Sequence, residues 1–149
     1  MSKLGPLLDE YEESHRHPVN IKIHWVAEPL AILALMALAQ SVSVFGVTLL
    51  WPFLAAMLFY FASLSLKAAA SFLPVIVAFI IVIGIFNDLA AVSTWRWALP
   101  LFAICWFALL GGHKIEGRVP SVFQSPNLIF VGPAWLLRRV FRRLGFSDP

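Results

Sequence analysis

The sequence predicts an all-α fold, a polytopic membrane helical bundle of about four transmembrane helices followed by a C-terminal amphipathic interfacial helix. Three observations predict it. Of the 149 residues, 60% are hydrophobic and only 13% are charged, with a mean hydropathy of +0.84. A water-soluble domain of this length has too little interior to hide so much apolar surface, so lipid must be the solvent for much of it. No charged residue lies between Glu28 and Lys67, and residues 68–87 form another uncharged run, matching the roughly 20 residues that cross a bilayer core. Finally, the basic residues cluster around the hydrophobic block in a way that only an even number of spans gathers on one side.

The chain reads as a single membrane domain, 1–149, beginning with a polar segment over 1–23. That segment has no apolar core, so no cleavable signal peptide is expected. Four transmembrane helices are expected within 24–112, with spans at about 25–45, 47–66, 68–86 and 95–112. Pro18 suits the first turn of a helix, where its missing N–H costs nothing, so the first helix is expected to start near His17. Pro74 lies inside the third span, where a neighbour must satisfy the freed carbonyl. Trp25, Trp51, Trp95 and Trp97 fall near span ends, as an interfacial aromatic belt would place them.

The fourth span is short, and Arg96 must snorkel to the interface. With four spans, Lys3, Arg16, Lys22, Lys67, Lys114, Arg118, Arg138, Arg139, Arg142 and Arg143 share one side and Arg96 alone lies opposite. The positive-inside rule then makes both termini cytoplasmic, in a bacterial inner membrane or an endoplasmic reticulum membrane.

Residues 113–149 form a basic cytoplasmic tail. Within 134–146, Trp135, Leu136, Leu137, Val140, Phe141 and Leu144 can share one helical face, with Arg138, Arg139, Arg142 and Arg143 on the other. That pattern reads as a helix lying on anionic membrane lipid. Apolar residues at helical spacing and a net charge of only +3 argue against a nucleic-acid partner. Cys105, the only cysteine, lies in an apolar stretch and reads as a small hydrophobe.

The residues that can carry chemistry lie at the edges of the block. His15, His17, His24 and His113 all fall outside the span interiors. An even number of spans brings the start of the first and the end of the fourth to one end of the bundle, and with them His24 and His113; His15 and His17 can fold over that end. Imidazole is the commonest metal-binding side chain and suits iron, zinc or copper. Asn20, His24 and Glu28 recur every four residues and form one stripe. Glu28, ionisable at an apolar edge, is expected to face the interior or a polar cavity. His113 and Glu116 share a face if the last helix continues past Gly111-Gly112, a pair that either ends the helix or allows close packing. Haem ligation would place histidines within the spans, where there are none. Spacing supports a metal site without naming the reaction.

Two segments are similar to a known family. Ser14-His15-Arg16-His17-Pro18-Val19-Asn20-Ile21-Lys22-Ile23-His24, followed by Pro29, resembles the N-terminal signature of the Mpo-type membrane family. Gly112-His113-Lys114-Ile115-Glu116-Gly117-Arg118-Val119-Pro120 resembles its second signature, and Pro133 fits the element before the family's terminal helix. The resemblance covers essentially the whole chain. It implies an Fe(2+)-dependent dioxygenase that uses O2 to shorten 2-hydroxy fatty acids by one carbon, as in breakdown of phytosphingosine. On that resemblance His15, His24 and His113 are the iron ligands. Glu116 is the motif carboxylate, acting as ligand, general base or orienting group, and Asn20 orients a ligand or substrate. His17 and Glu28 are held as further candidates for the metal; Glu28 stands where the family carries an apolar residue, and Ala27 where it tends to carry glycine. A 2-hydroxy acid offers its carboxylate and hydroxyl as chelating oxygens, which suits a site of neutral nitrogens with open positions. The alternatives are a non-enzymatic membrane scaffold or transporter with an interfacial metal site, and a zinc-dependent membrane hydrolase using Glu116 as base.

Overall fold

Six helices and one short hairpin follow along the chain in the computed structural model, which describes residues 3–90, 92–120, 123, 128 and 130–149. In order they are α1 (Leu4–Glu13), α2 (Pro18–Ser41), β1 (Ser43–Val44), β2 (Val47–Thr48), α3 (Leu50–Leu64), α4 (Leu66–Ala90), α5 (Thr94–Glu116) and α6 (Val131–Arg143). Helix α2 starts where the sequence places it: His17 is the N-cap, its Nδ1 accepting from the Val19 N–H at 3.2 Å, and Pro18 occupies the first turn.

Among the described residues three helices, α2, α4 and α5, are long and apolar enough to cross a membrane. The expected second span, 47–66, is shorter. Helix α3 has 15 residues, about 22 Å of rise against a hydrocarbon core of about 30 Å. The difference comes from residues 42–49. The β-branched Val42, Val44, Val47 and Thr48 favour extended backbone, and Phe45 and Gly46 turn between the strands at φ 52° and 80°. Both positive angles are what a two-residue hairpin turn requires. The first span therefore stops at Ser41 rather than 45, and the second starts only at Leu50.

Helices α2 and α5 pack along their length. The α3–α4 junction lies at the end of the bundle that holds both termini. There the Lys3 N–H donates to the Leu64 carbonyl at 3.2 Å, and Lys67 Nζ donates to the Ser147 carbonyl at 2.6 Å. The start of α2 and the end of α5 meet at the same end.

Within the polar segment, residues 4–13 form a helix with one apolar face. Leu4, Leu8 and Tyr11, spaced by four and three, form the buried stripe of α1, which packs on α6. The arginine face of α6, expected to lie on lipid, instead pairs largely with acidic groups of the same chain. Arg138 is buried and donates to Asp9 at 2.6 Å and to Asp148 at 2.8 Å. Arg139 donates to Glu12 at 3.0 Å, and Arg142 to Asp148 at 3.1 Å. The Arg143 guanidinium lies 5.1 Å from the Trp25 ring. The acidic residues of α1, with Asp148, supply the counter-charges that lipid was expected to provide. Arg138→Ala deprives Asp9 and Asp148 of a buried partner. Because both carboxylates are partly solvated, about 1–2 kcal/mol should be lost, read as a lower thermal midpoint in detergent and faster proteolysis of α1.

Candidate metal centre

Three histidines from three different places in the chain converge where α1, α2 and α5 meet. His15 follows α1, His24 lies two turns into α2, and His113 lies in the last turn of α5. All three are buried, at 1%, 2% and 5% exposure. One nitrogen from each lies within 4.8 Å of the other two. The rings stand nearly edge to face, with centroids 4.4, 4.8 and 5.1 Å apart.

The hydrogen bonds fix which nitrogens face inward. His15 Nδ1–H donates to the Tyr11 carbonyl at 2.7 Å, and His24 Nδ1–H to the Asn20 carbonyl at 3.0 Å. A carbonyl only accepts, so both rings carry their proton on Nδ1 and turn a bare Nε2 inward. Those two Nε2 atoms lie 3.1 Å apart. Two lone pairs at that distance need a proton or a cation between them. Burial, reinforced by the nearby His24, pushes the His15 imidazole down to about 3, which disfavours the proton there. Two nitrogens each about 2.1 Å from one ion lie about 3.0–3.4 Å apart at octahedral or tetrahedral angles, so the observed separation suits a shared metal. Nδ1 of His113 is buried and has no hydrogen-bond partner within the protein, and the same holds for Asn20 Oδ1, which lies against the neighbouring Gly112. Buried polar atoms left without a partner beside the inward-facing Nε2 pair mark a place that can hold something further. The donor set and its geometry fit a metal ion.

Glu116 closes the site from one side. Its Oε1 accepts from the Arg16 and His17 N–H groups, both at 3.0 Å, and its Oε2 from the His17 N–H at 2.9 Å and from Asn20 Nδ2 at 3.1 Å. The carboxylate thus ties the His15 loop and the Asn20 turn of α2 to the end of α5. It does not join the three imidazoles as a further ligand group among the described residues. Gly112 allows this approach: a Cβ there would overlap Asn20 Oδ1. Of the two roles open to the glycine pair, close packing is the one realised, since α5 runs on through His113 to Glu116.

His17 and Glu28 lie outside the triad. The exposed His17 ring is used as the α2 cap. Glu28, 7% exposed, sits one turn beyond His24, where a Cβ on Gly132 would overlap its Oε1 and crowd the Tyr11 hydroxyl. Two neighbours of the triad lay outside the sequence reading as site residues. The Tyr11 ring stacks on His15 at 4.1 Å and 12°, and the fully buried Trp135 lies 5.0 Å from His15. Arg139 covers the outer face of Trp135 at 4.2 Å. The four- and three-residue spacing of Leu4, Leu8 and Tyr11 was the available signal for the first of them.

Neither the curated proteins nor the solved structures contain a match to this chain. A family model described as Mpo1-like, 2-hydroxy-palmitic acid dioxygenase Mpo1-like, matches residues 1–144, which takes in every element and every histidine of the site. The chain belongs to the Mpo1-like family.

Proposed function

We propose that this protein is an Fe(II)-dependent dioxygenase that shortens 2-hydroxy fatty acids by one carbon at one face of a membrane. The observation that carries this reading is the buried His15–His24–His113 triad, two of whose Nε2 atoms face each other at 3.1 Å, in a chain of a family described by 2-hydroxy-palmitic acid dioxygenation. The atoms balance as R–CH(OH)–COOH and O2 giving R–COOH, CO2 and H2O. A bound Fe(II) with open positions supplies the oxygen activation.

The chain's own residues hold and enclose the centre. The Tyr11 and Asn20 carbonyls fix the His15 and His24 rings through their Nδ1–H groups, as outer partners of metal-binding histidines do. Glu116 acts as the orienting carboxylate, because its oxygens are taken up by the Arg16 and His17 amides and by Asn20. That engagement favours an orienting role for Glu116 over that of a zinc hydrolase's general base. Asn20 Oδ1, unpartnered within the protein, is the group we assign to substrate orientation. Tyr11 and Trp135 keep water from the rings. The site end also carries Lys3, Arg16, Lys22, Lys67, Lys114 and Arg118, which supports a cytoplasmic placement of both termini and of the site.

Incubation of the purified, Fe(II)-supplied protein with 2-hydroxypalmitate and O2 should yield pentadecanoate, with one O2 consumed per substrate. Product formed equally well without O2, or product of unchanged chain length, would contradict the reading.

A further inference from the structure

Beside the metal centre lies a second feature that the triad does not explain. A cavity of about 390 Å3 opens among α2, α3, α4, α5 and α6. Its walls are apolar, with Trp25, Met57, Phe72, Val75 and Trp106 among them, and Glu28 is the ionisable side chain among the described lining residues. Volumes of this order accommodate small-molecule ligands.

Glu28 is out of place by the rules that govern the rest of this wall. An ionisable group in an apolar span usually faces a partner or a ligand path, and a buried polar atom without a hydrogen bond is costly. Glu28 is 93% buried by its 7% exposure, and its Oε2 has no hydrogen-bond partner. It is also placed between the two features. It lies one helical turn from His24 on the same stripe of α2, and its Oε1 and the Tyr11 hydroxyl converge on Gly132. Tyr11 in turn stacks on His15. The polar lining therefore runs from the triad through Tyr11 to Glu28 and stops where the apolar cavity begins.

We propose that this cavity receives the acyl chain of a hydroxylated fatty acid and that Glu28 reads its hydroxyl-bearing end through the unpartnered Oε2. This rests on the proposed function for the identity of the ligand, and adds to it where the chain lies and which residue distinguishes a hydroxylated acid from a plain one. The apolar walls recognise the alkyl chain without direction. Glu28 supplies a directional contact, and it stands on α2 one turn from His24, so the polar head beside it lies toward the metal.

The test is anaerobic binding to the full-length protein in detergent, with 2-hydroxypalmitate or palmitate displacing a brominated fatty acid that quenches tryptophan emission. Trp25 and Trp106 make the cavity its own reporter. Wild-type protein should show saturable quenching and prefer the hydroxylated acid. Glu28→Leu should narrow that preference by about tenfold, the size of one buried hydrogen bond, while Glu28→Gln should largely keep it. Val75→Phe, which narrows the cavity from α4 away from the histidines, should weaken binding of sixteen-carbon acids more than of eight-carbon acids, with metal content unchanged. Equal binding of the two acids by wild-type protein, or a preference unaltered in Glu28→Leu, would overturn the role of Glu28. Unchanged binding in Val75→Phe would overturn the cavity as the chain site. Failure of the proposed function looks different: chain binding and its dependence on Glu28 persist in a protein that forms no shortened product.

Discussion

Replacing His24 with alanine is expected to remove the metal and reduce O2-dependent turnover of 2-hydroxypalmitate to background, with His113→Ala doing the same. The effect is large because each imidazole is one of three and the geometry offers no substitute. His17 is occupied as a helix cap and exposed, and the Glu116 oxygens already accept from backbone and amide donors. Removing His24 also leaves His15 Nε2 facing no nitrogen at 3.1 Å. The helices themselves should survive, because α2 and α5 pack along their length through many other residues, so far-ultraviolet circular dichroism should be unaltered. Full metal occupancy in either variant would show that the ligands lie elsewhere.

The second large effect is expected for Glu116→Ala. The substitution removes the acceptor of the Arg16 and His17 N–H groups at once and leaves the Asn20 amide only the Ser14 carbonyl at 3.5 Å. It also unties the loop that carries His15 from the helix that carries His113. Loss of an outer partner of a metal site commonly lowers affinity by about 10–100-fold, and the same range is expected here for Fe(II), with activity recovering in part at high iron. Glu116→Gln retains one oxygen acceptor but no charge, and should fall between the wild type and alanine. Were Glu116 the base that removes a substrate proton, added iron would restore nothing. Titrating activity against Fe(II) separates the two roles.

Much of this site is legible in the sequence because its geometry follows from periodicity and direction. Asn20, His24 and Glu28 share a stripe by their spacing alone, and the antiparallel return of α5 beside α2 suffices to bring His113 to His24. What periodicity does not register is the work done by backbone groups. Glu116 is held by the N–H groups of Arg16 and His17, which have no sequence signature, and so its role stayed open among ligand, base and orienting group. Helix α1 was obscured for another reason: its acidic residues outweigh Leu4, Leu8 and Tyr11 in composition, although those three form one face. The same acidic residues explain the α6 arginines, whose pattern alone does not distinguish an anionic lipid from an acidic helix of the same chain. Hydropathy also overran the hairpin at 43–48, since valines serve a strand as readily as a span.

If His15, His24 and His113 together hold iron, elemental analysis of the protein purified after growth with iron will show it, comparing wild type with His15→Ala, the substitution farthest in sequence from the membrane-spanning helices' interiors. Stoichiometric iron is expected in the wild type and its loss in His15→Ala, with both proteins folded. Iron retained in full by His15→Ala, or a folded, iron-free wild type that still shortens 2-hydroxypalmitate, would contradict the triad as the iron site.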